Sequence, residues 1–407
     1  MKIIVYEYVS GGGFAEKPIP QDVLSEGFGM LRGVVADFKA AGHEVTVLMD
    51  ERITKLRPPN EAFCILPIRY AKEAERFLSR VATINDAVYV IAPETAGILQ
   101  SLVEIVEKTG TASLNCESSS IKLAADKVIL DDFLEKNGFP TPKTVVIKNS
   151  ESLIRIKQII KRELAFPMVV KPVDGVGCGG LSILRNETQV EKAIAKVKTQ
   201  SANERFIAQE YISGESASVS LLSDGKKAHA LSLNRQNVTL AEPHESSSYD
   251  GGCVPFEHPL KHKAFALATK VVESLGGLRG YVGVDLVLGE KAIFVLDVNP
   301  RLTTSYVGLR EVAGFNVAEG LIGSVMKGKL PAKNESEGFA CFSKIETSKP
   351  SVDEFQKAAK LDTVVSPPFP LEDNTKSSAL VIGEGENLDD ARLHLEEAKK
   401  NLLNIIT

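Results

Sequence analysis

The sequence lacks the marks of several large classes of protein. Its cysteines are odd in number and never form a Cys-x-x-Cys pair, so we interpret them as reduced thiols and expect neither a disulfide framework nor a zinc site. No apolar run approaches the length of a membrane span, and the one at the N-terminus is too short for a signal peptide. We therefore expect a cytoplasmic protein with no membrane partner. The five cysteines are Cys64, Cys116, Cys178, Cys253 and Cys341.

A marked excess of one charge sign is also absent. The formal net charge is -5, and no long block carries charges of a single sign. This distribution gives no indication of a nucleic-acid partner, so any phosphate site must be built locally. The 407 residues contain no internal repeat or low-complexity tract, and their number is comfortable for two to four domains.

Residues 1–115 alternate short apolar strands with helical segments, which predicts an α/β domain with a parallel sheet. One of the predicted helices spans residues 71–83. Ligands bind beyond the carboxyl ends of the strands in such sheets, so the loop at residues 7–13 is a candidate substrate contact. Its contact residues would be Glu7, Ser10 and Gly11, and a flexible turn is the alternative interpretation of its three glycines.

Three further units are predicted along the chain. Residues 116–210 combine linker helices with a small α+β lobe, and residues 211–332 form a larger lobe. Within the larger lobe, residues 238–255 are predicted as a long polar loop. Residues 333–407 are predicted as a separate small α/β cap that ends in an amphipathic helix.

Residues 281–301 predict a β-hairpin with a polar face. Alternate residues are apolar along both strands, which indicates one buried face. If the turn is a loop of odd length such as residues 289–291, the polar residues of both strands share the other face, whereas a plain even loop would separate them. For the two aspartates to share a metal, the turn must therefore be odd in length or contain a bulge. Carboxylate and amide oxygens are ligands that Mg²⁺ accepts together with nucleotide phosphates, whereas ordinary solvated acids are the alternative. The polar residues are Asp285, Asp297 and Asn299.

A second candidate site begins at Lys171, which ends a predicted strand and is followed by a glycine-rich loop. Backbone amides in such a loop can close over phosphate oxygens while the lysine supplies a positive charge. The order differs from a P-loop, in which the lysine follows the glycines. The loop contains Gly175, Gly177, Gly179 and Gly180.

A hinge follows the apolar strand that ends this lobe. Its residues Glu210, Tyr211 and Ile212 have backbone groups that could bind an adenine edge, and Glu215 follows at a distance suited to ribose hydroxyls. An exposed edge strand followed by a turn is the alternative interpretation.

The sequence resembles the ATP-grasp superfamily over roughly residues 1–332. The resemblance is carried by the order of four features along the chain, namely Lys127, the Lys171 loop, the hinge and the hairpin. The resemblance implies an α/β protein with the ATP-grasp fold, an N-terminal parallel pre-ATP-grasp domain and a small C-terminal α/β cap. It implies that Lys127 and Lys171 contact ATP phosphates, that the glycine loop is a mobile lid, and that the hinge binds adenine and ribose. It also implies two Mg²⁺ ions, with Mn²⁺ as an alternative metal, on the polar hairpin residues, and an acyl phosphate stabilised by Arg301.

Within the superfamily, the loop at residues 7–13 and two motifs are similar to the archaeal tyramine–glutamate ligases of methanofuran biosynthesis. The layout is also similar to the lysine-adding ligases of pyrrolysine biosynthesis. The two motifs are Asn234-Arg235-Gln236 and Tyr249-Asp-Gly-Gly-Cys-Val-Pro255.

We therefore expect an ATP-dependent ligase that joins a carboxylate, such as that of glutamate, to an amine through an acyl phosphate. Arg301 and Arg235 are the catalytic candidates, and Arg235 is also a candidate substrate contact, with a surface arginine as its alternative. A carboxylase or carbamoyl-forming enzyme that uses bicarbonate is the main alternative, although the chain lacks the Met-Lys-Met biotin-acceptor motif. A nucleotide-binding regulator without catalysis is a third. The expected partners are small molecules, and a homodimer is expected by analogy.

Overall fold

The computed structural model describes residues 1–70, 72–175, 177–201, 203–332, 336–372 and 375–406. Across these residues the strands form three sheets. None of the helices in the same residues is long and apolar enough to cross a membrane. Ala71, where one predicted helix begins, and Val176, in the predicted lid, lie outside the described residues.

The first sheet is parallel, as the alternation of strands and helices predicts. Its strand order is β3-β2-β1-β4-β5, and helices cover both faces. Burial on both faces explains why its strands are nearly continuous apolar runs. The elements are β1 (Lys2–Glu7), α1 (Gln21–Ala40), β2 (Glu44–Asp50), α2 (Glu51–Leu56), β3 (Cys64–Ile68), α3 (Glu73–Val81), β4 (Ala87–Ile91), α4 (Ile98–Thr109) and β5 (Ala112–Ser113).

The second sheet is a small antiparallel sheet with the order β6-β9-β7-β8. Two linker helices precede it, and Asp126 caps the second of these by accepting hydrogen bonds from the backbone of Val128 and Ile129. The elements are α5 (Ser118–Ala125), α6 (Lys127–Lys136), β6 (Thr144–Lys148), α7 (Leu153–Glu163), β7 (Met168–Pro172), β8 (Ser182–Leu184), α8 (Val190–Gln200) and β9 (Arg205–Glu210).

The third sheet is antiparallel and spans the rest of the chain, with the order β14-β13-β10-β11-β12-β15-β17-β16. The C-terminal strands therefore extend the sheet of the larger lobe instead of forming a sheet of their own. The domain boundaries remain a prediction. The elements are β10 (Glu215–Asp224), β11 (Ala228–Thr239), β12 (Ser248–Val254), α9 (Lys261–Leu275), β13 (Arg279–Leu288), β14 (Ile293–Asn299), α10 (Tyr306–Val312), α11 (Val317–Lys327), β15 (Phe339–Ser348), α12 (Val352–Ala358), β16 (Val364–Ser366), β17 (Lys376–Gly385) and α13 (Leu388–Ile405).

Strand β12 corrects the second half of the predicted polar loop at residues 238–255, since residues 248–254 form a strand. Two glycines of this strand are needed because the neighbouring strands approach closely. A Cβ on Gly251 would lie 2.1 Å from the carbonyl oxygen of Phe342, and a Cβ on Gly252 would lie 2.0 Å from that of Arg235. The glycines thus allow a strand in the middle of the sheet.

The pairing of β12 with β15 also corrects the interpretation of the cysteines. Cys253 and Cys341 lie directly opposite each other in these strands and form a disulfide with an S–S distance of 2.17 Å. They are 88 residues apart in sequence, so their spacing gave no sign of the pair. Cys64, Cys116 and Cys178 are free thiols.

Helix α1 packs the first sheet against the C-terminal strands. Phe28 on its buried face stacks edge-on against Phe369, which also contacts Phe355. Arg32, one turn further on, donates a hydrogen bond of 2.7 Å to the carbonyl of Val364. The two ends of the chain therefore share one core, and the first turns of α1 lie beside β15 and β17.

Candidate active site

A cavity of about 940 Å³ lies where the three sheets meet. Most of the predicted site residues line it, although they come from segments far apart in sequence. Within the described part of the chain, the lining does not include Ser10, Gly11, Gly180, Glu215 or Arg235. The predicted residues that do line it are Glu7, Lys127, Lys171, Gly175, Gly177, Gly179, Glu210, Tyr211, Ile212, Asp285, Asp297, Asn299 and Arg301.

The hairpin of β13 and β14 brings the predicted metal ligands together. Asp285 and Asp297 are directly opposite each other in the ladder, and the side-chain amide of Asn299 donates a 2.9 Å hydrogen bond to Asp285. Gln236 on β11 donates a second bond of 2.9 Å to the other oxygen of the same carboxylate. The sequence analysis named Gln236 only as part of a motif and gave it no role at this site.

Of the two arrangements that the sequence analysis allowed, the hairpin has the bulge and not the turn of odd length. Leu288 pairs with Ile293, which leaves a turn of four residues. The register then shifts at Leu296, where one extra residue forms a bulge and restores the pairing of Asp285 with Asp297. Because of the bulge, the side chain of Leu296 lines the cavity. Simple alternation had placed this side chain on the buried face of the hairpin.

The donor set fits a divalent cation. Burial raises the pKa of Asp285, and the negative charge of Asp297 raises it further. Two carboxylates that face each other in a buried place repel, and a cation between them would relieve that repulsion. Together with the amide oxygen of Asn299, they are hard ligands of the kind Mg²⁺ takes when phosphates complete its coordination shell.

Two lysines add positive charge to the same region. Lys127 forms an ion pair with Asp297; burial alone would lower the pKa of Lys127, but the carboxylate raises it. Lys171 is 8% exposed, and burial, together with the charge of Lys127, lowers its pKa to about 8. Since Lys171 makes no ion pair among those of the described residues, its charge is open to an anion such as a phosphate group.

Arg301 is held by a residue that the sequence analysis missed. Its guanidinium pairs with the buried carboxylate of Glu94, with Nε–Oε1 and Nη2–Oε2 distances of 2.9 and 3.0 Å. Glu94 follows β4, at the carboxyl edge of the parallel sheet where ligands and functional side chains gather. That position was the one signal that could have identified it.

The loop after β1 is organised around Glu7. This buried carboxylate accepts hydrogen bonds from the backbone of Val9 and from the backbone and hydroxyl of Ser10, at 2.6 to 3.0 Å. Burial raises the pKa of Glu7 despite these bonds. Gly11 is needed because its Cβ would lie 2.2 Å from the carbonyl oxygen of Glu7. Glu7 thus faces the cavity, whereas Ser10 and Gly11 shape the loop behind it.

The glycine loop lies over the hairpin. Gly175, Gly177 and Gly179 line the cavity, and Cys178 between them has a left-handed backbone conformation with φ of 65°. Burial raises the pKa of the Cys178 thiol to about 11, with a further contribution from the nearby charge of Asp285. The thiol is therefore kept protonated, and it packs as a small side chain.

The alternation of β10 and β11 separates Glu215 and Arg235 from the cavity. Ser216 lines the cavity, so the preceding Glu215 points to the other face of the sheet, where its carboxylate lies 3.4 Å from His258. Arg235 lies on that same face, 5.6 Å above the ring of Phe256 and 4.0 Å from Glu215. The structure therefore does not bring Arg235 to the metal ligands.

The fold and this cavity define an ATP-grasp enzyme. The ATP-grasp domain family matches residues 124–305, and the pre ATP-grasp 3 domain family matches residues 43–121. The chain belongs to the ATP-grasp family and is an ATP-dependent ligase of carboxylates and amines, as the sequence analysis predicts.

Its relatives include the tyramine–L-glutamate ligase of Methanocaldococcus jannaschii. That protein is 31% identical over 339 residues, which cover 83% of this chain and 93% of the relative. Among solved structures, the biotin carboxylase domain of the Hydrogenobacter thermophilus 2-oxoglutarate carboxylase is similar, with a TM-score of 0.72, 13% identity, and coverage of 98% of this chain and 89% of that one. An L-amino acid ligase from Bacillus licheniformis has a TM-score of 0.67 and 14% identity, with coverage of 98% of this chain and 97% of that one. These two likenesses concern the fold.

Proposed function

We propose that this protein joins L-glutamate to an aromatic amine such as tyramine, while ATP is converted to ADP and phosphate. The observation that carries the proposal is the 31% identity over 93% of a tyramine–L-glutamate ligase, in a chain whose cavity gathers an ATP-grasp set of side chains. Glutamate supplies the carboxylate that is activated, and the amine supplies the nucleophile.

In this proposal the nucleotide lies between the small lobe and the large sheet. The ammonium groups of Lys127 and Lys171 bind its phosphates, and the amides of the glycine loop close over them. The backbone of Glu210 and Ile212 binds adenine. Ser216 takes the ribose contact that the sequence analysis assigned to Glu215, because Ser216 lies on the cavity side of β10.

Asp285, Asp297 and Asn299 are proposed to hold Mg²⁺, as two ions, with Mn²⁺ as an alternative. The metal would neutralise phosphate charge and align the γ-phosphoryl group. With a metal on Asp297, Lys127 would be free to bind a phosphate oxygen in place of that carboxylate. Gln236 keeps Asp285 oriented by its hydrogen bond.

The chemistry then follows in two displacements. A carboxylate oxygen of glutamate forms a bond to the γ-phosphorus while the bond to the ADP oxygen breaks, which gives an acyl phosphate. The neutral amine forms a bond to the acyl carbon, phosphate leaves, and the nitrogen loses a proton to give the amide. Arg301, fixed by Glu94, stabilises the negative charge on the reacting oxygens.

The proposal is tested by measuring ADP release with amino acids and amines in pairs. We expect ADP release to require glutamate and tyramine together. Mass spectrometry should then detect the amide formed from the two. Release that depends on bicarbonate and needs no amine would instead establish the carboxylase alternative.

The metal assignment is tested with Asp297→Asn. The change removes one ligand charge but keeps the size of the side chain, so we expect ADP release to fall by at least about 100-fold, roughly the scale on which misplaced catalytic groups act. The control is Glu290→Gln in the exposed turn of the same hairpin. If Asp297→Asn keeps full turnover while its thermal unfolding is unchanged, Asp297 is not a metal ligand.

The domain boundaries, a homodimer and a cytoplasmic location stay predictions. Analytical ultracentrifugation of the purified protein would test the homodimer directly.

A further inference from the structure

The proposed nucleotide site makes no use of one ion pair on the cavity wall. Lys344 on β15 lies 2.9 Å from Glu26 on α1, and the other oxygen of Glu26 accepts a 2.7 Å hydrogen bond from the hydroxyl of Thr304. All three residues line the cavity, and the side chains of Lys344 and Glu26 are each 17% exposed. They come from both ends of the chain and from the segment after the hairpin.

The surroundings of Lys344 favour its charged form. Burial alone would lower the pKa of Lys344, but the charge and hydrogen bond of Glu26 raise it, and Asp22 and Asp250 act in the same direction. Removing two charges from water costs free energy that a single contact in a protein recovers only in part. A pair of this kind at the surface of a substrate cavity is suited to exchange its contacts for those of a ligand.

We propose that Glu26 and Lys344 bind the zwitterionic head group of an α-amino acid, with Lys344 on the α-carboxylate and Glu26 on the α-ammonium. This inference rests on the proposed function and specifies how the amino-acid substrate is recognised. Thr304 holds the Glu26 carboxylate in place by its hydrogen bond while the pair opens.

Glu26 and Lys344 must each keep a partner of opposite charge, and this requirement favours a zwitterion over a simple amine or a simple carboxylate. A lone ammonium would take Glu26 and leave Lys344 buried without its partner, and a lone carboxylate would do the reverse. A buried charge that loses its partner is strongly destabilising, whereas a zwitterion supplies a new partner to each residue at once. With the head group held here, the carboxylate that reaches Arg301 is the one on the amino-acid side chain.

The test deletes charges from the substrate and from the protein in turn. Glutarate lacks the α-ammonium of glutamate, and 4-aminobutyrate lacks its α-carboxylate. Lys344→Met should raise the KM for glutamate by about tenfold or more, the scale of one charge-assisted hydrogen bond, and leave 4-aminobutyrate unaffected. Glu26→Gln should raise the KM for glutamate to a similar extent and leave glutarate unaffected. Analogues that are not turned over are measured as competitive inhibitors against glutamate.

Two controls separate recognition from loss of structure. Lys376→Met removes an exposed lysine that pairs with Glu346 across the same sheet, outside the cavity, and should leave every KM unchanged. Lys344→Arg keeps the charge and should restore part of the glutamate affinity. The KM for ATP should be the same in all these variants.

Several outcomes would overturn the inference. Equal losses for glutamate and 4-aminobutyrate in Lys344→Met would show that the lysine does not bind the α-carboxylate. A rise in the KM for the amine in Glu26→Gln, with that for glutamate unchanged, would assign Glu26 to the amine. If the wild-type protein uses another α-amino acid, the assignment of glutamate as the substrate fails. The same KM measurements with that amino acid, its decarboxylated form and its deaminated form then support or overturn the head-group site. If only carboxylates without an α-amino group support ADP release, both proposals fail.

Discussion

Lys171 is the residue whose charge depends most clearly on its surroundings. Its pKa of about 8, lowered by burial and by Lys127, means that the free enzyme carries this positive charge below about pH 8 and loses it above. Binding of the negatively charged phosphates favours the protonated form, so nucleotide binding becomes weaker as the pH rises through this value.

We therefore expect kcat/KM for ATP to fall above about pH 8, approaching about tenfold per pH unit, since this ratio reports the ionisation of the free enzyme. Steady-state rates at several ATP concentrations between about pH 6.5 and pH 9.5 provide the measurement. Lys171→Arg is the control because a guanidinium stays charged throughout this range. A flat profile in the wild-type protein would mean that Lys171 does not bind the phosphates in its charged form.

Arg235 and Gln236 are neighbours in sequence and offer a matched pair of substitutions. Gln236 donates a hydrogen bond to the proposed metal ligand Asp285, whereas Arg235 stacks on Phe256 on the other face of the sheet. Gln236→Ala should raise the Mg²⁺ concentration needed for half-maximal activity by about tenfold, as loss of a residue that orients a metal ligand does. Arg235→Ala should leave this value and kcat unchanged and lower the free energy of unfolding by about 0.5 to 1 kcal/mol through the lost cation–π contact. A large fall in kcat for Arg235→Ala would instead show that Arg235 takes part in the reaction.

The sequence was enough to single out the proposed metal ligands and phosphate-binding lysines as residues of one site, because charged residues at the ends of apolar strands stand out from the pattern. Their roles stay predictions. The face on which each residue lies was harder to predict. Alternation separates neighbours such as Glu215 and Ser216, but it does not say which of the two faces the cavity. Glu26 and Lys344 reach the cavity only through the packing of distant segments, and no local pattern indicates that packing.

The hairpin of β13 and β14 illustrates the same limit for a whole element. Its strands and its polar residues could be predicted, but the length of its turn could not. A bulge adds one residue without changing the apolar or polar character of its neighbours, so a turn of even length with a bulge at Leu296 has nearly the same pattern as a turn of odd length without one. The requirement that Asp285 and Asp297 share a metal left the two possibilities open.

The glycine loop that is proposed as a phosphate lid is connected to the segment after β4 through Asp174. Its carboxylate accepts hydrogen bonds from the hydroxyl of Ser201 at 2.7 Å and from the backbone of Ala96 at 3.2 Å. Its own carbonyl accepts one from Thr95 at 2.9 Å. Because Ala96 and Thr95 follow Glu94, these bonds link the base of the lid to the loop that holds Arg301.

Asp174→Ala removes the two carboxylate bonds, and we expect the KM for ATP to rise by about tenfold, since net contributions of about 1 kcal/mol per bond are usual. The kcat at saturating ATP should change less. Asp132→Ala, which removes an exposed carboxylate paired with Lys136 on α6, is the control and should have no effect. An unchanged KM for ATP in Asp174→Ala would mean that the lid closes without this link.

At the scale of the whole molecule, the cavity depends on the two ends of the chain being packed together. The first sheet, the small lobe and the long sheet each contribute part of its lining, and α1 joins the first sheet to the C-terminal strands. The likeness in fold to a biotin carboxylase domain extends over 98% of this chain, so the C-terminal segment belongs to the shared architecture.

A protein that ends at residue 332 should therefore fail to form a stable ATP-binding core. The truncation removes β15, β16 and β17, exposes the edge of β12, and takes Phe355 and Phe369 away from the apolar face of α1. We expect the cooperative thermal unfolding transition and nucleotide binding to be lost. If residues 333–407 were a separate cap, both would survive the truncation. Refolding together with the separately made fragment 333–407 is the control and should restore both. A truncated protein that unfolds cooperatively and binds ATP would instead establish residues 1–332 as an independent unit, and the continuous sheet would then contribute little to its stability.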